Sequence, residues 1–399
     1  MIKGALIDFD GTLVDSHPFL YQVYLKFLKE RGIDGTEAEF ESLLGPSLRD
    51  GVRFLVEKYG LEGGVDANYN AYYALIQNGC GELKPGVLDF LRFAEANRIR
   101  MGVVTSAPEA WVKDILLKLN VLHYFRFIVS GDELNRGKPA PDPYLKGIYD
   151  INLPKEELIA IEDTEIGTQS AESAGLKTYY PHWDKLLELI LESHYPTLIE
   201  GPTLKVEITQ APNLSEEETM AIEAHFDALS KENTHLFNGP VYFYASHKGN
   251  TLSIYRGDYK LFLGRDLIKD KDIIPVSVCG KTTFQDKVLW GKRALSLHQF
   301  GGFWETVPSG GLADSDPEKQ LFQELQEEAN IASTDVKSTS FLKAVHNLKE
   351  GTLELLYRIE LIRPTGLPTA EVTELNWRKA DDPYPHRQVL PLSLVFAFL

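Results

Sequence analysis

Gly4-Ala5-Leu6-Ile7-Asp8-Phe9-Asp10-Gly11-Thr12-Leu13 places an unbroken apolar run directly before two carboxylates and a glycine turn. A run of this kind reads as a strand buried on both faces, as in a parallel sheet. Open sheets of that type bind ligands at the carboxyl ends of their strands, which is where Asp8 and Asp10 fall. At positions i and i+2 of an extended segment the two carboxylates lie on the same side. Close carboxylates repel, and a cation among them removes that cost. Gly11 and Thr12 then turn the chain so that backbone N–H groups can face a phosphate. Taken alone, these residues also fit a turn whose aspartates cap a helix.

Outward from this segment, apolar runs alternate with helical stretches through the first 200 residues, the pattern of a parallel α/β sheet. The expected core strands are Gly4 to Phe9, Met101 to Thr105, Phe127 to Ser130, Leu158 to Glu162 and Thr178 to Tyr180. Between the first two, residues 16–84 show helical periodicity and read as an inserted cap. A helix-like stretch from Trp183 to Ser193 closes the unit. His194 to Pro202, with two prolines and a glycine, reads as a linker. Beyond it, strands are expected at Val241 to Ser246, Thr251 to Tyr255, Ile274 to Gly280 and Val288 to Gly291, ahead of one strong helix, Pro317 to Ala329. The expected division is therefore 1–195 (core 1–15 and 85–195, cap 16–84), a linker at 196–203, and an α+β domain at 204–399.

A chain of 399 residues suits two or three domains, each able to bury its own core. The net charge of −17 leaves no excess of Lys and Arg to displace counterions from a nucleic-acid backbone. No run approaches the roughly 20 apolar residues of a spanning helix. The start of the chain runs straight into the first strand, leaving no room for a signal peptide. The two cysteines, Cys80 and Cys279, stand too far apart for a disulfide framework and read as reduced core residues of a cytoplasmic protein.

Three further stretches give the first one its meaning. Val103-Val104-Thr105-Ser106 ends a strand on hydroxyls. Gly137-Lys138-Pro139-Ala140-Pro141 holds one amine in a proline-stiffened loop, and Ile159-Ala160-Ile161-Glu162-Asp163 ends a strand on two acids. In this order, over about residues 1 to 190, they resemble the four motifs of the haloacid dehalogenase-like hydrolase superfamily. The resemblance implies Asp8 as the nucleophile that accepts a phosphoryl group and Asp10 as general acid and then base. Thr105, Ser106 and Lys138 would hold phosphate oxygens, with Gly11 and Thr12 beside them. Asp8, the Asp10 carbonyl and Asp163 would bind Mg²⁺ or Mn²⁺, with Glu162 alongside. Asp10 points to phosphoryl chemistry, since haloalkanoic acid dehalogenases need no second aspartate. Mutases of the β-phosphoglucomutase type carry a hinge histidine where Leu20 stands here, although His17 lies close by. Within the cap, Arg49 of Gly45-Pro46-Ser47-Leu48-Arg49 is a candidate contact for phosphate or sugar hydroxyls.

A second constellation lies on the expected helix. Asp316 before Pro317 is a firm helix start. Glu324, Glu327 and Glu328 then share one face, and Leu321, Leu325 and Ala329 form an apolar seam. A solvated acidic face is the plain alternative. With Phe303-Trp304-Glu305-Thr306-Val307-Pro308-Ser309-Gly310-Gly311 leading in, the stretch resembles the Nudix box. It departs from that box in a shorter loop lacking its glutamate, in Gln323 where arginine is usual, and in Asn330 where glycine is usual. The UDP-glucose and UDP-galactose diphosphatase branch shows the same kind of departures. Leu236-Phe237-Asn238-Gly239, Asp258-Tyr259-Lys260 and Leu289-Trp290-Gly291-Lys292-Arg293 also resemble its segments. That resemblance implies a metal held by Glu324 and Glu328, Glu327 as ligand or base, Arg293 on a diphosphate, and Asn238 and Tyr259 at the nucleotide.

Together the two resemblances imply an α/β fold: a Rossmann-like parallel sheet with an inserted helical cap, followed by an α+β domain layered as an α/β/α sandwich. They imply a bifunctional, Mg²⁺-dependent hydrolase of nucleotide-sugars and small phosphate esters. One half would release a sugar 1-phosphate and the other would dephosphorylate a product. Two alternatives stay open: a C-terminal half that only binds nucleotide-sugars, and two fused activities on unrelated substrates.

Overall fold

The computed structural model describes residues 1–379 and 393, apart from 78, 80, 132, 133, 234, 235, 237, 269, 270 and 297–300. Cys80 and Phe237 lie outside the described residues, whereas Cys279 is a buried free thiol. The chain divides into two compact units, Met1–Ile190 and Leu191–Leu399. No helix among the described residues is long and apolar enough to cross a membrane.

In the first unit β1 (Gly4–Ile7), β2 (Arg100–Val104), β3 (Ile128–Val129), β4 (Leu158–Ile161) and β5 (Lys177–Tyr179) form a parallel sheet in the order β3-β2-β1-β4-β5. Every residue of β1 and β4 is buried, so the sheet is covered on both faces and tolerates only apolar side chains there. The strand order reverses between β1 and β4, and that switch point opens a crevice at the carboxyl ends of both strands. Between β1 and β2 the described residues form the helices His17–Lys29, Glu37–Ser42, Leu48–Tyr59 and Gly64–Ile76 of the insert, followed by Val87–Ala96, which leads back into the sheet. Ser47 caps the third by accepting the Asp50 N–H, and Gly60 ends it at φ 61°, a conformation glycine adopts without strain.

The second unit is mostly strands, arranged as two sheets. The expected linker is corrected here. Thr197–Glu200 is a strand, β6, and it pairs antiparallel with β14 (Val336–Asn347) through Ala344↔Ile199 and Lys343↔Glu200. Pro196 and Gly201-Pro202 are the two ends of an edge strand, a place where proline is tolerated. A small sheet joins β7 (Lys205–Ile208), β8 (Pro240–Lys248) and β9 (Thr251–Asp258) in the order β7-β9-β8. The large sheet runs β12-β11-β10-β15-β14-β6. Its remaining members are β10 (Val276–Phe284), β11 (Lys287–Arg293), β12 (Trp304–Thr306) and β15 (Thr352–Leu361). β13 (Ser309–Gly311) pairs with β10, and β16 (Val372–Lys379) pairs with β11. Only the β10–β15 pair of this sheet is parallel among the described pairings. Helix Pro317–Ala329 starts where Asp316 accepts the N–H groups of Glu318 and Lys319. Its Leu321, Leu325 and Ala329 are fully buried against Val276, Val278 and Leu355 of the sheet.

Candidate active site

Asp8 follows the last residue of β1, and its N–H donates to the Ile161 carbonyl of β4, which fixes the carboxylate at the switch point. Lys138, 5% exposed, reaches in from its loop. Its Nζ donates to Asp8 Oδ1 at 2.6 Å, Glu162 Oε1 at 2.5 Å and the Val104 carbonyl at 3.0 Å. Although burial opposes a charged amine, the Asp8 and Glu162 carboxylates outweigh it and hold the lysine protonated. The Tyr144 hydroxyl donates to the same Glu162 oxygen at 2.6 Å. Glu162 therefore orients the lysine as well as adding charge to the site.

Asp8, Glu162 and Asp163 form a group whose ligand oxygens all lie within 4.8 Å of one another. Burial pushes Glu162 up to about 7 and Asp163 up to about 6, with Asp8 adding to each. Oxygen-only donors and mutual repulsion are what a hard cation such as Mg²⁺ or Mn²⁺ requires. The residues fit such an ion. The Asp10 side chain stands outside this group and accepts the Ser16 hydroxyl at 2.5 Å. Its carboxyl is pushed up to about 7 by burial, opposed by that hydrogen bond and raised further by Asp8 and Asp163.

The turn residues do something other than expected. Gly11 sits at φ 73°, and a Cβ there would collide with Asp163 and with the His17 imidazole. Its N–H donates to the Val14 carbonyl at 2.9 Å and so is not offered to a phosphate. Thr12, fully buried, donates its hydroxyl to Asp163 at 3.1 Å and so holds an acid of the cluster. Thr105 is buried, and its hydroxyl oxygen accepts the Ala107 N–H at 3.1 Å, which leaves the hydroxyl proton for a phosphate oxygen. Ser106 lines the crevice but donates to the Gly45 carbonyl at 2.5 Å, tying the helical insert to β2 instead of binding substrate. Arg49 is not brought to the site. It pairs with Asp66 and lies over the Tyr69 ring.

Asp8, Asp10, Thr105, Ser106 and Lys138 line a cavity of about 120 Å³ whose other walls come from the helical insert and from Ala107, Pro108, Trp111 and Thr164. A buried nucleophile paired with a fixed amine, beside a cluster of acids, can accept and release a phosphoryl group. The haloacid dehalogenase-like hydrolase family matches residues 5–180. A phosphorylated carbohydrates phosphatase of Thermotoga maritima is 28% identical over 182 residues, which is 45% of this chain and 84% of the relative. A phosphoglycolate phosphatase of Yersinia pseudotuberculosis is 29% identical over 184 residues, 44% of this chain and 78% of the relative. Residues 5–180 are a haloacid dehalogenase-like phosphatase domain. A β-phosphoglucomutase structure from Clostridium difficile is similar at a TM-score of 0.40 and 25% identity, covering 45% of this chain and 83% of that one.

Within the phosphatase domain, Ser16 and Tyr144 are site residues that the sequence did not disclose. Ser16 sits at a helix start, where a serine signals a cap, yet its side chain makes no cap bond and serves Asp10. Tyr144 carries no pattern of its own.

The second unit has its own cleft of about 330 Å³, lined by Tyr259, Arg293, Glu305, Ser309, Gly310 and Glu354 among others. Arg293 donates to Glu305 at 2.8 Å, while its buried Nε has no partner among the described residues. Glu328 accepts the Ser309 N–H at 3.0 Å. The Glu324 carboxylate lies against Gly310, where any Cβ would collide with it. Burial lifts Glu305 and Glu324 to about 7 and Glu328 well above the ordinary range; Arg293 opposes the rise of Glu305, while Glu305 adds to that of Glu324 and of Glu328. Among the described residues these carboxylates do not close to the spacing of the Asp8 group. Glu327 is exposed and accepts from Gln323 at 2.9 Å, away from the cleft lining. Asn238 accepts the Lys260 N–H at 2.9 Å and so fastens the turn before the helix Tyr259–Leu263. Its side chain is committed to structure. Glu305 is the addition here, a buried acid that strand periodicity alone assigns to a core position.

Proposed function

We propose that the N-terminal unit hydrolyses a phosphate monoester through an aspartyl-phosphate on Asp8. The Asp8 carboxylate attacks phosphorus, and the P–O bond to the leaving group breaks. Asp10, held near neutrality as an acid, gives that oxygen its proton. Asp10 then takes a proton from water, which attacks the same phosphorus and frees Asp8 and inorganic phosphate. Lys138 and the Thr105 hydroxyl stabilise the equatorial oxygens, and Glu162 with Tyr144 keeps the lysine in place. Mg²⁺ or Mn²⁺, held by Asp8 and Asp163, would supply further positive charge at the transferring group. The observation that carries this reading is the Asp8–Lys138 contact at 2.6 Å at the end of β1, beside the three-acid cluster. The relatives named for phosphorylated carbohydrates and for phosphoglycolate support monoester hydrolysis. In a phosphate-release assay on p-nitrophenyl phosphate, Asp8→Asn should release no phosphate above the uncatalysed level. Sustained turnover by that variant would remove Asp8 from the nucleophile's role.

A second reading concerns the C-terminal unit, favoured by the way Arg293, Glu305, Glu324 and Glu328 gather at the strand β13 and its glycines. That grouping, with the Nudix-like sequence, supports hydrolysis of a nucleotide-sugar diphosphate to a nucleoside monophosphate and a sugar 1-phosphate. Series action of the two units would require the phosphatase domain to accept the sugar 1-phosphate, and its cavity favours separate substrates instead.

A further inference from the structure

We propose that the leaving group of the phosphatase domain's substrate is small and apolar, and is neither a sugar nor a nucleoside. This inference rests on the monoesterase reading above and specifies its substrate class. Away from the Asp8 end, the cavity is walled by Leu20, Leu44, Leu48, Val52, Ile76 and Trp111, with further leucines and Phe40 behind them.

The polar side chains along these walls are already engaged. The Ser47 hydroxyl donates to the Asp50 carboxylate at 2.6 Å and accepts the Asp50 N–H at 3.2 Å. Ser106 donates to the Gly45 carbonyl. Thr164 accepts the Gly167 N–H at 3.1 Å and donates toward Glu162. Arg49, the cation best suited to sugar hydroxyls, is engaged with Asp66 and is not among the lining residues. What remains is His17, packed on Gly11, and Tyr72, 6% exposed and against the Phe27 ring.

A sugar entering this space would leave several hydroxyls without partners, and each such hydroxyl loses the hydrogen bonds it makes in water. An alkyl or aromatic group gains from the same walls. The cavity of about 120 Å³ must also seat the phosphoryl group at its Asp8 end, so the apolar leaving group is small.

The test uses the full chain with Mg²⁺ and a series of n-alkyl phosphates from methyl to decyl. Glucose 1-phosphate, phosphoglycolate and UMP serve as polar comparators. The expected result is a rise in kcat/KM of about three- to fourfold per methylene over the first few carbons, followed by a plateau or fall. Leu44→Asn and Leu48→Asn, both at partly exposed positions, should each lower that slope. A flat series overturns the inference, and so does glucose 1-phosphate turning over as fast as pentyl phosphate. Release of phosphate from none of these esters overturns the monoesterase reading itself, so the two failures are distinguishable.

Discussion

In the proposed mechanism, Asp10 and Ser16 decide between them at what pH the phosphatase domain can protonate a leaving group. Burial raises Asp10 to about 7, and Asp8 and Asp163 push in the same direction, while the Ser16 hydroxyl donates to the carboxylate and pulls the value down. A general acid is active only while protonated, so the acid form is present below about 7 and is lost as pH rises through it. An alkaline limb in kcat near neutrality is the expected outcome. Ser16→Ala removes the bond that favours the charged form, so Asp10 should hold its proton to higher pH and the limb should move upward. Asp10→Asn should lower kcat by roughly 10²–10⁴ and abolish the limb. A limb that stays in place in Ser16→Ala would show that another group titrates there. Asp8, Thr105, Lys138 and Asp163 were legible as site residues because each stands at a strand end or in a stiffened loop. Ser16 was not, because its pattern is that of a helix cap and only the folded turn brings it to Asp10.

Elements were legible where one period dominated the sequence. The β1 run is apolar without interruption, and the helix Pro317–Ala329 has a cap, a proline and a seam at spacing four, so its bounds could be read directly. β15, with Leu353-Glu354-Leu355-Leu356-Tyr357-Arg358, mixes helix formers with a run that also suits a strand, and periodicity alone does not separate the two. β6 was hidden by its flanking prolines and glycine, which read as a linker although they mark strand ends. The helix seam itself allows a test. Leu325 is fully buried in the cluster that includes Val276, Val278 and Leu355. Leu325→Ala should cost about 2–5 kcal/mol of local stability. Hydrogen exchange should then show the amides of Pro317–Ala329 losing protection by at least roughly tenfold. Protection that stays unchanged would mean the helix does not depend on this seam for its place.

At the scale of the whole molecule the chain carries a net charge of −17, yet under the proposed readings both clefts receive anions. Lys138 is the buried cation of one, beside acids spaced so that a metal can relieve their repulsion, and Arg293, paired with Glu305, is the cation of the other. Two such sites in one chain would act in series only if the product of one fits the other, since tethering raises local concentration without altering what a cavity accepts. The apolar walls above Asp8 speak against a sugar 1-phosphate. With UDP-glucose and Mg²⁺, ³¹P NMR of the full chain should show UMP and glucose 1-phosphate accumulating together, with little inorganic phosphate following. Glu328→Gln keeps an acceptor for the Ser309 N–H but removes the charge, so UMP formation should fall by roughly 10²–10⁴ while alkyl phosphate hydrolysis continues. Asp8→Asn should give the reverse pattern. If UDP-glucose stays intact in the wild-type chain, this unit does not cleave it and the glutamate cleft serves another diphosphate or binds without turnover. If inorganic phosphate instead keeps pace with UMP, the glucose 1-phosphate is being consumed, and the separation of substrates argued from the cavity walls fails.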